Sequence, residues 1–158
     1  MLFLFVLLQV TLMPYLAIAN VQPDLVLAAV VCWALLRGAT EGAIGGFLGG
    51  LGLDLLSGGP FGMHTFVLTI VGVAAGLGTA VIPSEHWLLL PGTVVLCTFG
   101  QQAAEVWLLR AAGLPLYWSQ VLMAVVVPAA MLNLFLAVPL YPLVGLLHRQ
   151  TAPEEAGW

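Results

Sequence analysis

The chain has 158 residues, of which 62% are hydrophobic and only 6% charged, with a formal net charge of -4. Soluble domains carry about 25% charged residues, so this chain cannot clothe a surface for water and is expected to be an all-α integral membrane protein. It has no lysine and no basic stripe, which excludes nucleic acid as a partner, and its length holds about six spans of roughly 20 residues with no room for a soluble catalytic domain.

The N-terminal apolar run lacks a positively charged start and a clear cleavage site, so it reads as a first span rather than a signal peptide. That span covers Leu2–Ala19, with Pro14 as a kink. Span 2 runs from Asp24 to Leu36 and ends at Arg37-Gly38. Span 3 is Thr40–Leu56, and the Ser57–Gly62 segment is a glycine-proline turn. Span 4 is Met63–Ile82, stopped by Pro83. Span 5 is Trp87–Leu109, with Pro91 in its first turn. Span 6 is Trp118–Leu147 and contains Pro128, Pro139 and Pro142. Residues 1–147 thus form one compact membrane bundle, and His148–Trp158 a short polar tail. Trp87, Trp107, Tyr117 and Trp118 fall at span ends, where amphipathic rings prefer the headgroup level. Continuous apolar runs exclude alternating barrel strands. With six spans, Arg37 and Arg149 share one side and Arg110 the other, which puts both termini in the cytoplasm and the Ser57–Gly62 turn outside.

Three constellations carry chemistry. The first is a glycine ladder in span 3: Gly42, Gly46 and Gly50 stand four apart, as do Gly45 and Gly49, and Gly72, Gly76 and Ala80 in span 4 are complementary. Residues four apart share a helix side, and glycine there lets another backbone approach. The ladder either packs spans 3 and 4 together or receives another protein's helix. The second is Asp54 with His64, at the two ends that the turn with Gly58 and Gly62 brings together. They form a hairpin fastener or a binding or proton-linked site. A metal would need a third ligand. The third is a polar intramembrane cluster of Gln101, Gln102 and Glu105 in span 5 with Asn133 in span 6, read as glue between helices, a small-molecule pocket or a docking point for a partner's polar group. Arg37 and Glu41, four apart, form an interfacial pair. Cys32 and Cys97 lie in apolar runs and indicate no disulfide framework. No catalytic motif is present, no cofactor is implied, and the chain reads as a non-enzyme.

The ordered set Pro23-Asp24-Leu25, Arg37-Gly38, Glu41-Gly42 and GFLGGLGLDLLSGGPFGMH at residues 46–64 resembles the rod-shape-determining MreD family, with a GLxxDxxxGxxxG-type element from Gly50 through Asp54 and Gly58 to Gly62. Spans 5 and 6 match it only in hydropathy and in Asn133. The resemblance implies a multi-pass scaffold in the bacterial cytoplasmic membrane, within the cell-elongation machinery that directs side-wall peptidoglycan synthesis. Its implied partners are the single membrane helix of MreC and, through the wider complex, MreB filaments and RodA with its transpeptidase. Membrane lipid surrounds it, and a homodimer is open. The implied fold is that of the six-helix substrate-binding subunits of energy-coupling-factor transporters. The alternative reading is such a vitamin-type subunit itself, with Gln101, Gln102, Glu105 and Asn133 lining its pocket.

Overall fold

The computed structural model describes residues 2–12, 15, 22–58, 61–81, 89–111, 113 and 125–151. Among them are α1 (Leu2–Leu12), α2 (Leu25–Arg37), α3 (Ala39–Ser57), α4 (Met63–Val81), α5 (Leu89–Ala111) and α6 (Val127–Thr151), and no strand. Pro14, Trp87, Tyr117 and Trp118 lie outside the described residues. So does most of the tail, although α6 itself runs to Thr151, past the expected end at Leu147.

Helix α2 is the axis of the bundle. Its sequence, LVLAAVVCWALLR, is apolar all round, and a helix of that kind belongs in a core. Every residue from Leu25 to Cys32 is buried, and α1, α3, α4, α5 and α6 all pack on it. It has 13 residues, which at about 1.5 Å each is about 20 Å. That is short of a hydrocarbon core of about 30 Å, but a helix enclosed by other helices need not meet lipid. The segment Val127–Leu146 of α6 is long and apolar enough to cross a membrane, whereas Leu2–Leu12, Leu25–Arg37 and Met63–Thr79 are apolar but shorter. Large apolar side chains such as Phe3, Phe47, Leu55, Phe66, Leu96 and Phe135 face outward.

Local signals set the helix ends. Asp24 precedes α2 with extended backbone, and its Oδ1 accepts the Leu27 N–H at 2.9 Å, an N-cap. Gly38 closes α2 at φ +88°, in the region that favours glycine. Gly58 ends α3 in the left-handed conformation. Pro128 sits in the first turn of α6, where a missing N–H costs nothing.

The tightest packing joins α3 to α4. A Cβ at Gly42 would lie 2.4 Å from the Gly72 carbonyl oxygen, one at Gly46 2.1 Å from that of Leu68, and one at Gly50 2.5 Å from that of His64. A Cβ at Gly76 would meet Ala39. As numbers rise along α3 they fall along α4, so the two helices are antiparallel with backbones in direct contact. The second strip turns elsewhere: Gly49 lies against Val26 of α2, and Gly45 is in ordinary contact range of Leu2 and Trp33. At that end the Arg37 guanidinium stacks over Trp33, 4.9 Å from the ring centroid, and the Trp33 indole N–H donates to Glu41 at 3.3 Å.

Gly46→Ala should therefore force the α3–α4 backbones apart and destabilise the protein by about 1–3 kcal/mol. Gly45→Ala, whose new methyl meets only side chains at 3.8 Å, should instead be neutral or stabilise by up to about 1 kcal/mol through helix propensity. Thermal unfolding of the two variants in one detergent checks this; equal midpoints would contradict it.

Candidate functional site: a polar cavity at one end of the bundle

The C-terminal ends of α1, α3 and α5 and the N-terminal ends of α2, α4 and α6 come together, and the buried polar side chains collect there. The first group is the α3–α4 hairpin end. The residue that precedes α4 is Gly62, which has no side chain to cap with. Asp54, one helix away, supplies the missing acceptors. Its Oδ2 accepts the N–H groups of Gly62 at 3.0 Å and Thr65 at 2.9 Å and the Thr65 hydroxyl. Its Oδ1 accepts the His64 N–H at 3.0 Å and faces His64 Nδ1 at 2.9 Å. A carboxylate only accepts, so the imidazole proton at that contact sits on Nδ1. The carboxylate is fully enclosed, while the His64 side chain is 25% exposed. The sequence pairs Asp54 with His64 alone; the backbone groups of three residues add to that bond.

The second group centres on Asp24. Besides capping α2, its Oδ2 accepts from Gln101 Nε2 of α5 at 2.6 Å, and its backbone N–H donates to Asn133 Oδ1 of α6 at 2.7 Å. Gln9 of α1 completes the start of α2: its Oε1 accepts the Leu25 N–H at 2.6 Å and its Nε2 donates to the Pro23 carbonyl at 3.2 Å. On α5, Gln101 Nε2 also donates to Glu105 at 3.1 Å. Asn133 Nδ2 donates to the Thr98 hydroxyl at 3.1 Å, which in turn donates to the Val94 carbonyl at 2.8 Å.

These two groups border one cavity of about 380 Å³. Its wall holds the whole sequence-read cluster, Gln101, Gln102, Glu105 and Asn133, and also Asp24 and His64. The structure thus joins two constellations that the sequence left apart. The ladder glycines Gly42, Gly45, Gly46, Gly49 and Gly50 are not in this wall; the first, third and fifth lie between α3 and α4. Sequence reasoning missed Gln9, Asp24 and Thr98. For Asp24 the signal was present, an aspartate immediately before an apolar helical run. Thr98, Gln101 and Glu105 share a face by their three- and four-residue spacing. Among the described residues no three His, Cys, Asp or Glu side chains cluster as a metal would require.

A family model described as rod shape-determining protein MreD matches residues 1–151. The chain belongs to the MreD family. No curated protein and no solved structure matches it. The match spans all six described helices, so the cavity and the α3–α4 hairpin both lie within the MreD region, and the MreD reading of residues 23–64 extends to α5 and α6. MreD proteins are bacterial membrane proteins with a rod-shape-determining role, and no catalytic chemistry is part of that description.

Asp54→Ala should leave the N–H groups of Gly62, His64 and Thr65 without their acceptor. The expected loss is about 3 kcal/mol or more, since a cap is worth about 1 kcal/mol and each stranded buried donor about 1–3. Asp54→Asn keeps one acceptor oxygen and should lose less. Unfolding midpoints of the purified variants decide the order; a silent Asp54→Ala would remove Asp54 from its capping role.

Proposed function

We propose that this chain is a polytopic scaffold of the bacterial cell-elongation complex. In this reading its helices cross the cytoplasmic membrane about six times with both termini in the cytoplasm, and it holds the membrane helix of MreC. Through that complex it supports MreB-guided side-wall peptidoglycan synthesis by RodA and its transpeptidase. The observation that carries the reading is the MreD match over residues 1–151. The outward apolar side chains support burial in lipid. In this reading the mechanism is binding rather than catalysis, and Asp24 and Asp54 serve to hold helix ends.

The glycine ladder narrows where MreC can dock. Gly42, Gly46 and Gly50 are already filled by α4, so another helix cannot use them. The part of α3 that stays open is the apolar groove of Ile44, Gly45, Leu48 and Gly52 beside Leu2 and Phe3, about 510 Å³ in volume. We assign the MreC helix to that groove, where glycine permits close approach.

A second reading is the substrate-binding subunit of a vitamin-type transporter, with the corresponding six-helix fold. The polar cavity favours it. Affinity purification of the tagged chain in mild detergent separates the two. Near-stoichiometric MreC is expected; a transporter ATPase with its coupling subunit would overturn the scaffold. Gly45→Leu, which fills the groove without touching α4, should lower MreC recovery tenfold or more, equivalent to about 1.4 kcal/mol of contact. Undiminished recovery with a folded variant would move the interface elsewhere.

A further inference from the structure

The polar cavity holds a buried acceptor with no donor to meet it among the described residues. Gln101 Nε2 carries two hydrogens, and they go to Asp24 Oδ2 at 2.6 Å and Glu105 Oε1 at 3.1 Å. In this orientation both hydrogens meet an acid oxygen, whereas a flipped amide would turn its own oxygen toward them. The outcome is that Gln101 Oε1 has no hydrogen-bond partner among the described residues, although Gln101 is only 6% exposed. A buried acceptor left unmade calls for an explanation, and an absent ligand is one. Two other amides of the wall are engaged, Gln9 Nε2 on Pro23 and Asn133 Nδ2 on Thr98; Gln22 and Gln102 also line it. The His64 Nδ1 is engaged on Asp54.

The charge balance points the same way. Asp24 and Glu105 both line the cavity. No arginine is among its described lining residues, and the chain has no lysine. An anionic ligand would face two acid side chains and leave the Gln101 oxygen unmet. A group that is positive and rich in N–H would satisfy the orphaned Gln101 oxygen and offset both acids. A volume of about 380 Å³ lies in the range of small-ligand sites, about 300–1,000 Å³.

We propose that the cavity between Asp24, Gln101 and Glu105 is a binding site for a cationic hydrogen-bond donor, a primary ammonium or a guanidinium group. Ammonium offers three donors and guanidinium five in a planar fork. The group can come from a free small amine or from a Lys or Arg side chain of a partner membrane protein. The site does not depend on the scaffold reading.

The test is thermal unfolding of the full chain in detergent, titrated with agmatine, which carries both groups. Sodium chloride matched in ionic strength to the agmatine salt, a dication with two counter-ions, and equimolar 1,5-pentanediol control for screening and for the neutral carbon chain. The midpoint should rise by about 3–6 °C at ten times the dissociation constant, and neither control should reproduce it. Glu105→Gln should abolish the rise. Gln102→Arg, which brings a guanidinium from the wall itself, should also abolish it, by occupying the site. Glu41→Gln, at the other end of the bundle, should leave it intact. No rise beyond the controls, or an undiminished rise in both Glu105→Gln and Gln102→Arg, overturns the proposal. The co-purified MreC complex then identifies the source. If the complex no longer responds to agmatine, a partner side chain fills the site; if it responds like the isolated chain, the natural ligand is a free amine. Failure of MreC to co-purify would count against the scaffold and leave the titration on the isolated chain decisive for the cavity.

Discussion

A helix that begins among other helices presents backbone N–H groups that its own turns cannot satisfy, and each needs an acceptor. Two aspartates meet that demand here. Asp24 caps α2 from the position next to it, and Asp54 caps α4 from the neighbouring helix. The second case follows from the sequence around the turn. The left-handed conformation of Gly62, at φ +92°, favours glycine, and glycine has no side chain to cap with. The capping oxygen must then come from elsewhere, and Asp54 near the end of α3 is within reach. Turn, cap and hairpin are one solution to one constraint.

The same constraint draws α5 and α6 to the bundle axis. Once Asp24 is fixed at the start of α2, its free oxygen and its backbone N–H need partners, and Gln101 and Asn133 supply them from two other helices. These bonds act together with apolar packing. Enclosed by other helices, α2 contributes buried Val, Leu and Ala along its length, but apolar contact alone does not fix how far a helix slides along its axis. Directional hydrogen bonds at one end do. The glycines of α3 fix the other relation, the separation of α3 from α4, through backbone contact that no larger residue would allow.

Much of this was legible in the sequence because it is local. The six apolar runs, the glycine spacing and the Asp54–His64 proximity across a short turn depend on residues close together in the chain. Helix boundaries were legible where a residue dictates them, as at Gly38 and Gly58, and less so in α6, whose polar His148-Arg149-Gln150 end remains helical. What the sequence did not reveal is the convergence of the polar groups. Asp24 and Asn133 are 109 positions apart, and Asp24 and Gln101 are 77; no periodicity links them. The ladder shows the converse limit. Spacing established a smooth strip, but only the packed structure says what lies on it, and α4 is what lies on Gly42, Gly46 and Gly50.

The two ends of the bundle differ in how they handle charge. At the end with Arg37, a cation rests on the face of Trp33 and the indole N–H meets Glu41, so aromatic and acidic groups share the charge. At the other end, the described donors that meet the carboxylates of Asp24 and Asp54 are backbone N–H groups, side-chain amide and hydroxyl groups and one imidazole. Backbone, amide and hydroxyl donors hold a carboxylate in place by hydrogen bonding but do not cancel its charge. In a low-dielectric surrounding the charge of such a carboxylate reaches farther than it would in water. A bundle built only for packing would gain by replacing these groups with well-fitted apolar ones. Holding helix ends accounts for Asp24, Asp54, Gln9 and Asn133. It does not account for Glu105, which begins no helix and whose one described hydrogen bond comes from Gln101. Glu105 and the unpaired oxygen of Gln101 are the part of this end that its architecture leaves unexplained, and they lie side by side in the wall of the cavity.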